Sequence, residues 1–338
     1  MKKRIFALLL IVSLMASLVA CGSSTTTPAA TTTKAGETTA ATTAKAFKFD
    51  RKIEMVCPFG PGSGTDTTLR NWLPLMEKEL GQPIVVNNMA GAGGVTGAEY
   101  FNKQPADGYT FAMYTPSHTI AAVNKTTTFD ILNETVPVVR LVQDANIILA
   151  GKNVPYNNMK ELIAYVKANP GKAKIGVMSV AGIDGVSVNQ LWKAAGIEVG
   201  LIAYPSGAEA NAAVMGGHCD MVLTSPFDAK SFVESGDMKG IVLLSEKRAS
   251  TLPNVECTGE LGYDAYIGPW RGIVAKKGTP QAAIDAFEAA AIKVNTMQAW
   301  IDWKKSVALN DREGFANQKD FGKIWTDYYQ TMKTMLGK

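Results

Sequence analysis

Two stretches of this chain put glycines, hydroxyls and an acid where a strand would hand over to a helix. Phe59-Gly60-Pro61-Gly62-Ser63-Gly64-Thr65-Asp66 follows the apolar run Ile53–Cys57, and Ser179-Val180-Ala181-Gly182-Ile183-Asp184-Gly185-Val186 follows Lys174–Met178. Such a loop can hold an anion without an arginine. The first amides of a helix lack intrahelical acceptors, the positive end of the helix dipole lies behind them, and glycine lets the main chain come close. Ser63 and Thr65 add hydroxyl donors, while Asp66 suits a helix cap or a brace for the loop. At Gly60–Asp66 an anion site is the favoured reading over a merely tight turn.

Rigid elements must aim these loops, and hydrophobic periodicity supplies the candidates. Ile53–Cys57 suits a buried strand; Leu69, Trp72, Leu73, Met76 and Leu80 recur at helical spacing, and Gly81 stops that helix. Ile84–Val86 reads as a second strand, Gly91-Ala92-Gly93-Gly94 opens a helix through Tyr100 and Phe101, and Asp107-Gly108 turns into a strand over Tyr109–Tyr114. The pattern then recurs. Strands are predicted at Val138–Val142, Ile147–Ala150, Lys174–Met178, Gly200–Tyr204, Met221–Thr224 and Gly240–Leu244, with helices at Met159–Ala168, Val186–Ala195 and Ala208–Met215. After Ile267–Ala275 the chain closes with helices at Gln281–Val294, Ala299–Ala308 and Lys319–Leu336. This alternation predicts an α/β protein of two lobes with largely parallel sheets and a ligand cleft between them. Residues 47–145 and 271–338 are expected to form the first lobe, and 146–270 the second.

Composition narrows the chemistry. Hydrophobic residues make up 46% and charged residues 19%, enough for a large core. The net charge of +4 includes a basic leader and no Lys/Arg block, which argues against nucleic-acid binding. Cys57, Cys219 and Cys257 are widely spaced, so buried free thiols are expected, with one disulfide as the alternative and no zinc or other metal site. Gly91 to Gly97 is a near-miss to a dinucleotide fingerprint, but it follows the second strand of its lobe; no Walker-type loop occurs, and no cofactor is predicted. His118 and His218 fit no metal or triad pattern and read as satisfied surface or loop residues. No catalytic residue is therefore assigned. Trp300, Trp303, Trp325 and Met332 read as core packing.

The beginning of the chain speaks to location. Lys2, Lys3 and Arg4 precede the apolar run Ile5–Ala20, a signal peptide over 1–20 too short for a comfortable membrane span. Leu18-Val19-Ala20-Cys21-Gly22 resembles the lipobox of bacterial lipoproteins, which implies lipidation at Cys21. Ser23–Ala46, built mainly from Thr, Ala and Ser, reads as a flexible tether.

An ordered series of motifs resembles the Bug-type receptors, the substrate-binding proteins of tripartite tricarboxylate transporters. It runs Phe59–Asp66, Leu80-Gly81-Gln82-Pro83, Asn88–Gly94, Ala106-Asp107-Gly108-Tyr109-Thr110, Ala168–Lys172, Ala203–Gly207, Leu252–Val255 and Ala275–Pro280. The resemblance covers about Ile53 to Lys338, and its order is more specific than any one motif. It implies a two-lobe, type II periplasmic-binding-protein-like fold that closes on a solute, with one carboxylate end held by two facing loops. Phe59 through Asp66 match the first loop and Ser179 through Val186 the second. Ser117, Tyr204, Ser206 and Ser225 fall where family members line the cleft. The resemblance also implies a receptor without enzymatic activity for a small organic acid, a di- or tricarboxylate or a relative. Such a receptor is expected to be a lipid-anchored extracytoplasmic monomer that serves large and small membrane subunits. A sensor partner, or further off an extracytoplasmic hydrolase, are the alternatives.

Two positions depart from the family pattern. Its second loops often carry Ser or Thr followed by His, whereas this chain has Ile183-Asp184-Gly185-Val186. Asp184 is read as a helix cap, a group that repels a dicarboxylate, or one that recognises an amino or hydroxyl substituent. Arg271 is read either as a bidentate partner of a distal carboxylate or as a salt-bridge partner of Asp184, with the structural option preferred.

Overall fold

Strands in this protein are apolar on both faces because both faces are covered. In the computed structural model, which describes residues 47–338, β1 (Ile53–Cys57) sends Ile53 and Met55 to one cluster with Trp72, Phe287 and Trp300. Val56 goes to another with Tyr114, Trp270 and Trp325. The alternation follows from the two-residue period of a strand. The leader, Cys21 and the Thr/Ala-rich segment lie outside the described residues.

The first sheet runs in the order β2 (Ile84–Asn88), β1, β3 (Thr110–Tyr114), β10 (Trp270–Lys276), β4 (Thr135–Gln143). The second runs β7 (Gly200–Ala203), β6 (Lys174–Val177), β8 (Met221–Thr224), β5 (Asn146–Gly151), β9 (Met238–Leu244). In each sheet four strands run the same way and one, β10 in the first and β5 in the second, runs against both its neighbours. Strand direction is thus largely parallel, as the sequence suggested, with one reversed strand per sheet that it did not foresee. Local periodicity does not encode the direction of a partner strand.

The first sheet carries α1 (Gly64–Leu80), α2 (Val95–Asn102), α3 (Pro116–Asn124), the short α4 (Ile131–Glu134), and the closing helices α9 (Gln281–Asn295), α10 (Gln298–Ser306) and α11 (Gln318–Met335). The second carries α5 (Met159–Ala168), α6 (Ile183–Ala195), α7 (Gly207–Met215) and α8 (Pro226–Ser235). The result is the expected two-lobe, periplasmic-binding-protein-like fold. Of the residues read as core packing, Trp300, Trp325 and Met332 are buried and Trp303 is half-buried against the first cluster. Cys57, Cys219 and Cys257 are buried free thiols.

Two crossings join the sheets, residues 144–145 and the approach to β10. From Gln143 to Asn146 the chain can span at most about 11 Å, so the connected sheet edges lie close together. Arg312 clamps both crossings, donating to the carbonyls of Asp144 at 3.0 Å and Tyr266 at 3.2 Å. Ser187 on α6 donates to the Ile267 carbonyl at 2.8 Å. An apolar cluster of Ile120 and Val123 from α3, Val186 from α6 and Met332 from α11 links the lobes beside these crossings.

Candidate functional site

Strand register decides which edges meet. Gly272 pairs with Tyr114 and Trp270 with Gln143, so the start of β10 and the end of β4 lie at the carboxyl end of β3. Ile147 pairs with Thr224, so β5 begins at the carboxyl end of β8. Both glycine loops therefore leave their sheets at the edges from which the crossings run. Outside the carboxyl ends of parallel strands is where open α/β sheets bind ligands.

The first loop is held from within. Ser63 caps α1, its Oγ accepting from the Asp66 amide at 3.2 Å. The Asp66 carboxylate is buried; its Oδ2 accepts from the Gly62 amide at 2.9 Å and Arg70 Nε at 2.8 Å, and its Oδ1 from Asn88 Nδ2 at 2.9 Å. Burial pushes the Asp66 pKa up, but Arg70, Asn88 and the Gly62 amide together outweigh it and hold the group below the usual range. Asp66 is thus the brace for the loop that its position suggested, with both carboxylate oxygens engaged in holding the turn. Asn88 also donates to the Phe59 carbonyl, and the Phe59 ring stands edge-on to His118. The Ser63 amide is spent on the Gly60 carbonyl. The next two amides, Gly64 and Thr65, have no acceptor among the described residues.

Arg271 completes this corner. A Cβ on Gly64 would lie 2.8 Å from Arg271 Nη2, so the guanidinium lies against the first turn of α1 in space that only glycine leaves open. Its Nη1 is buried without a hydrogen bond, and its nearest carboxylate is Asp144 Oδ2 at 3.6 Å. That corrects the preferred pairing of Arg271 with Asp184. Burial raises the Asp144 pKa, Arg271 opposes the rise, and Asp228 on α8 lies near enough to add to it. Sequence reasoning missed Asp144 as the partner of Arg271, because only the crossings bring the two together.

The second loop repeats the design with different residues. Gly182 is the N-cap of α6, and Asp184, in the first turn, reaches back to accept from the Met178 amide at 2.9 Å. Burial raises the Asp184 pKa, and the amides of Met178 and Ser179 pull it down only in part. Asp184 is thus a loop brace like Asp66, neither an N-cap nor a free acid. Gly185 donates to the Ser179 carbonyl at 3.1 Å and Val186 to the Gly182 carbonyl at 3.1 Å, whereas the Ile183 and Asp184 amides have no acceptor among the described residues. Val186 itself is buried against α3, which corrects its expected place among the ligand contacts.

Other cleft candidates divide. Ser117 sits half-buried in the first turn of α3, whose N-cap Thr115 and buried His118 cap one another. His118 stacks on Tyr114 at 4.1 Å, and burial lowers its pKa to about 4, so it is a neutral core residue instead of the surface or loop histidine expected. Exposed His218 fits that expectation. Ser206 and Ser225 cap α7 and α8 at the same edge, accepting from Glu209 and Asp228 amides at 3.2 Å each. Tyr204 turns away. Its ring covers Gly176 and its hydroxyl lies beside Cys219, which donates to the Lys174 carbonyl at the far edge of the sheet. Among the described residues no His/Cys/Asp/Glu group could hold a metal.

Helix starts with unspent amides beside a half-buried guanidinium have the donors to receive an anion. A family model for the tripartite tricarboxylate transporter family receptor matches residues 69–336. The chain belongs to that receptor family. The receptor is 28% identical to protein BugT of Bordetella pertussis over 233 residues, 68% of this chain and 72% of BugT. Its fold is similar to that of the periplasmic binding protein BugD, with TM-score 0.72 and 25% identity over 85% of this chain and 97% of that one. It is also similar to Rpa4515 of R. palustris, solved with adipate, with TM-score 0.74 and 22% identity over 85% and 98% of the two chains. As a member of this receptor family, and like the periplasmic binding protein BugD, the protein is a solute-binding protein and not an enzyme. Among its described residues no helix is long and apolar enough to cross a membrane.

Proposed function

We propose that this receptor captures a small organic carboxylate outside the cytoplasm and presents it to the large and small membrane subunits of a tripartite transporter. The observation that carries the reading is the corner formed by the unspent Gly64 and Thr65 amides and the Arg271 guanidinium. A carboxylate there would receive charge-assisted hydrogen bonds and the favourable end of the α1 dipole. The unspent Ile183 and Asp184 amides offer a second grip from the other lobe. Lobe one is taken as 47–145 with 271–338, lobe two as 146–270, and closure as a hinge motion at the two crossings. The adipate in the R. palustris relative supports the solute class.

A thermal-shift screen of organic acids tests this. Ligand at 100 times its Kd should add about 2.7 kcal/mol to stability. A shift with a neutral sugar and with none of the acids would defeat the reading. The anchor at Cys21 belongs to the same proposal, on the strength of Leu18-Val19-Ala20-Cys21. Cys21→Ser should move the protein from the membrane to the soluble fraction; unchanged fractionation would remove the anchor.

A further inference from the structure

Large apolar side chains rarely stay exposed in a group without an occupant. Among the described residues seven do stay exposed, and three of them, Met178 at 57%, Val180 at 45% and Phe227 at 55%, fall on one rim. Gly176 pairs with Val222, and continuing that register sets Met178 beside Thr224, one residue before the Ser225 cap of α8. The second loop and the first turn of α8 thus share the cleft edge of the second sheet. Thr224 pairs with Ile147, three residues after Asp144, and Asp144 lies 3.6 Å from Arg271, which brings the rim toward the corner where Arg271 lies.

Charge on this rim is unsuited to a second carboxylate. Asp228 and Asp144 are acids, Asp184 is taken by the Met178 amide, and the cation on α8, Lys230, pairs with Glu234 at 3.8 Å. The anion donors are the Gly64 and Thr65 amides with Arg271 and, on the second loop, the Ile183 and Asp184 amides, which suffice for one carboxylate gripped from both lobes, and the side chains exposed on the rim beyond them are hydrocarbon.

We infer that the solute is an amphiphilic anion. One carboxylate binds at the Gly64 and Thr65 amides beside Arg271, and a hydrocarbon portion is covered by Met178, Val180 and Phe227. The inference rests on the carboxylate-receptor reading and narrows it away from hydroxylated di- and tricarboxylates. The alternative occupant, a membrane subunit of the transporter, is an outcome of the test.

The test is calorimetry on the full-length chain with butanoate, hexanoate, octanoate, succinate, adipate and citrate. Affinity should rise about threefold to fourfold for each methylene added to the monocarboxylates, and adipate should bind no tighter than hexanoate. The Met178→Ser and Phe227→Ser variants, changed at exposed positions that the fold does not need, should flatten the series to less than twofold per methylene. Tightest binding of citrate or succinate, without a chain-length trend, would overturn the inference and leave the carboxylate receptor standing. An unchanged series in both variants, with loss of uptake in cells, would give the rim to a membrane subunit and also overturn it. Failure of every acid to bind the folded protein would defeat the underlying reading and the inference together.

Discussion

Replacing Arg271 by Gln is expected to weaken carboxylate capture by roughly ten- to one-hundred-fold, the equivalent of about 1.5–3 kcal/mol for hydrogen bonds to a charged group. The guanidinium is 13% exposed, so water screens it little, and its Nη1 has no hydrogen bond to give up before a ligand arrives. Its one nearby acid, Asp144, is 3.6 Å away, beyond a good hydrogen bond. A cation in that condition is already desolvated and only partly neutralised, and an incoming carboxylate gains both the charge and the unused proton.

The same variant should also alter stability, and the sign can be fixed. The folded-state pKa of Asp144 is raised by burial, with Arg271 pulling it back. Without the cation the pKa rises further above its unfolded value. A carboxyl raised on folding contributes stability that is complete below the unfolded pKa, about 3.9, and is lost as pH rises through the folded value. The Arg271→Gln protein should therefore lose more stability relative to wild type at pH 7 than at pH 4. The double variant Arg271→Gln/Asp144→Asn should recover the stability at pH 7 and none of the affinity. Wild-type affinity in that folded double variant would remove Arg271 from the anion site.

How far such a site can be read from sequence depends on the range of the interactions. Both glycine loops, the strands before them and the helices after them were legible, because capping, chain reversal and apolar period are local signals. The starts of α3 and α8 were also written locally, as Thr115-Pro116 and Ser225-Pro226, a cap followed by proline at the first helical position. They were read only as the cleft positions Ser117 and Ser225, and both helices were missed. The partner of Arg271 was not legible. Asp144 reaches it only because β10 returns beside β4, a pairing that no periodicity in either segment specifies. The burial of Val186 likewise depends on α3 and α11 from the other lobe, and the turn of Tyr204 on the absence of a side chain at Gly176.

Gly185→Ala is expected to damage the second loop more than Gly62→Ala damages the first, although the sequence treats the two glycines alike. Gly62 has φ near +78° with nothing within 4 Å of a built Cβ, so alanine there costs about 1–2 kcal/mol of backbone strain and displaces no neighbour. At Gly185 a Cβ would lie 1.9 Å from the Val180 carbonyl oxygen and 2.7 Å from its carbon. Those are backbone atoms, so no rotamer change relieves the clash, and the loop must lift off the first turn of α6. Lifting it strains the Met178 amide bond to Asp184 and the Gly185 amide bond to the Ser179 carbonyl, and it moves the neighbouring Ile183 and Asp184 amides. Overpacking of this kind typically costs about 1–3 kcal/mol. A buried Asp184 carboxylate that loses its amide partners adds about 1–3 kcal/mol more. Chemical denaturation and calorimetry on the two variants should show Gly185→Ala losing more stability and more affinity. Equal, small losses in both would mean that the second loop does not lie against α6, and that its amides are not fixed for a solute.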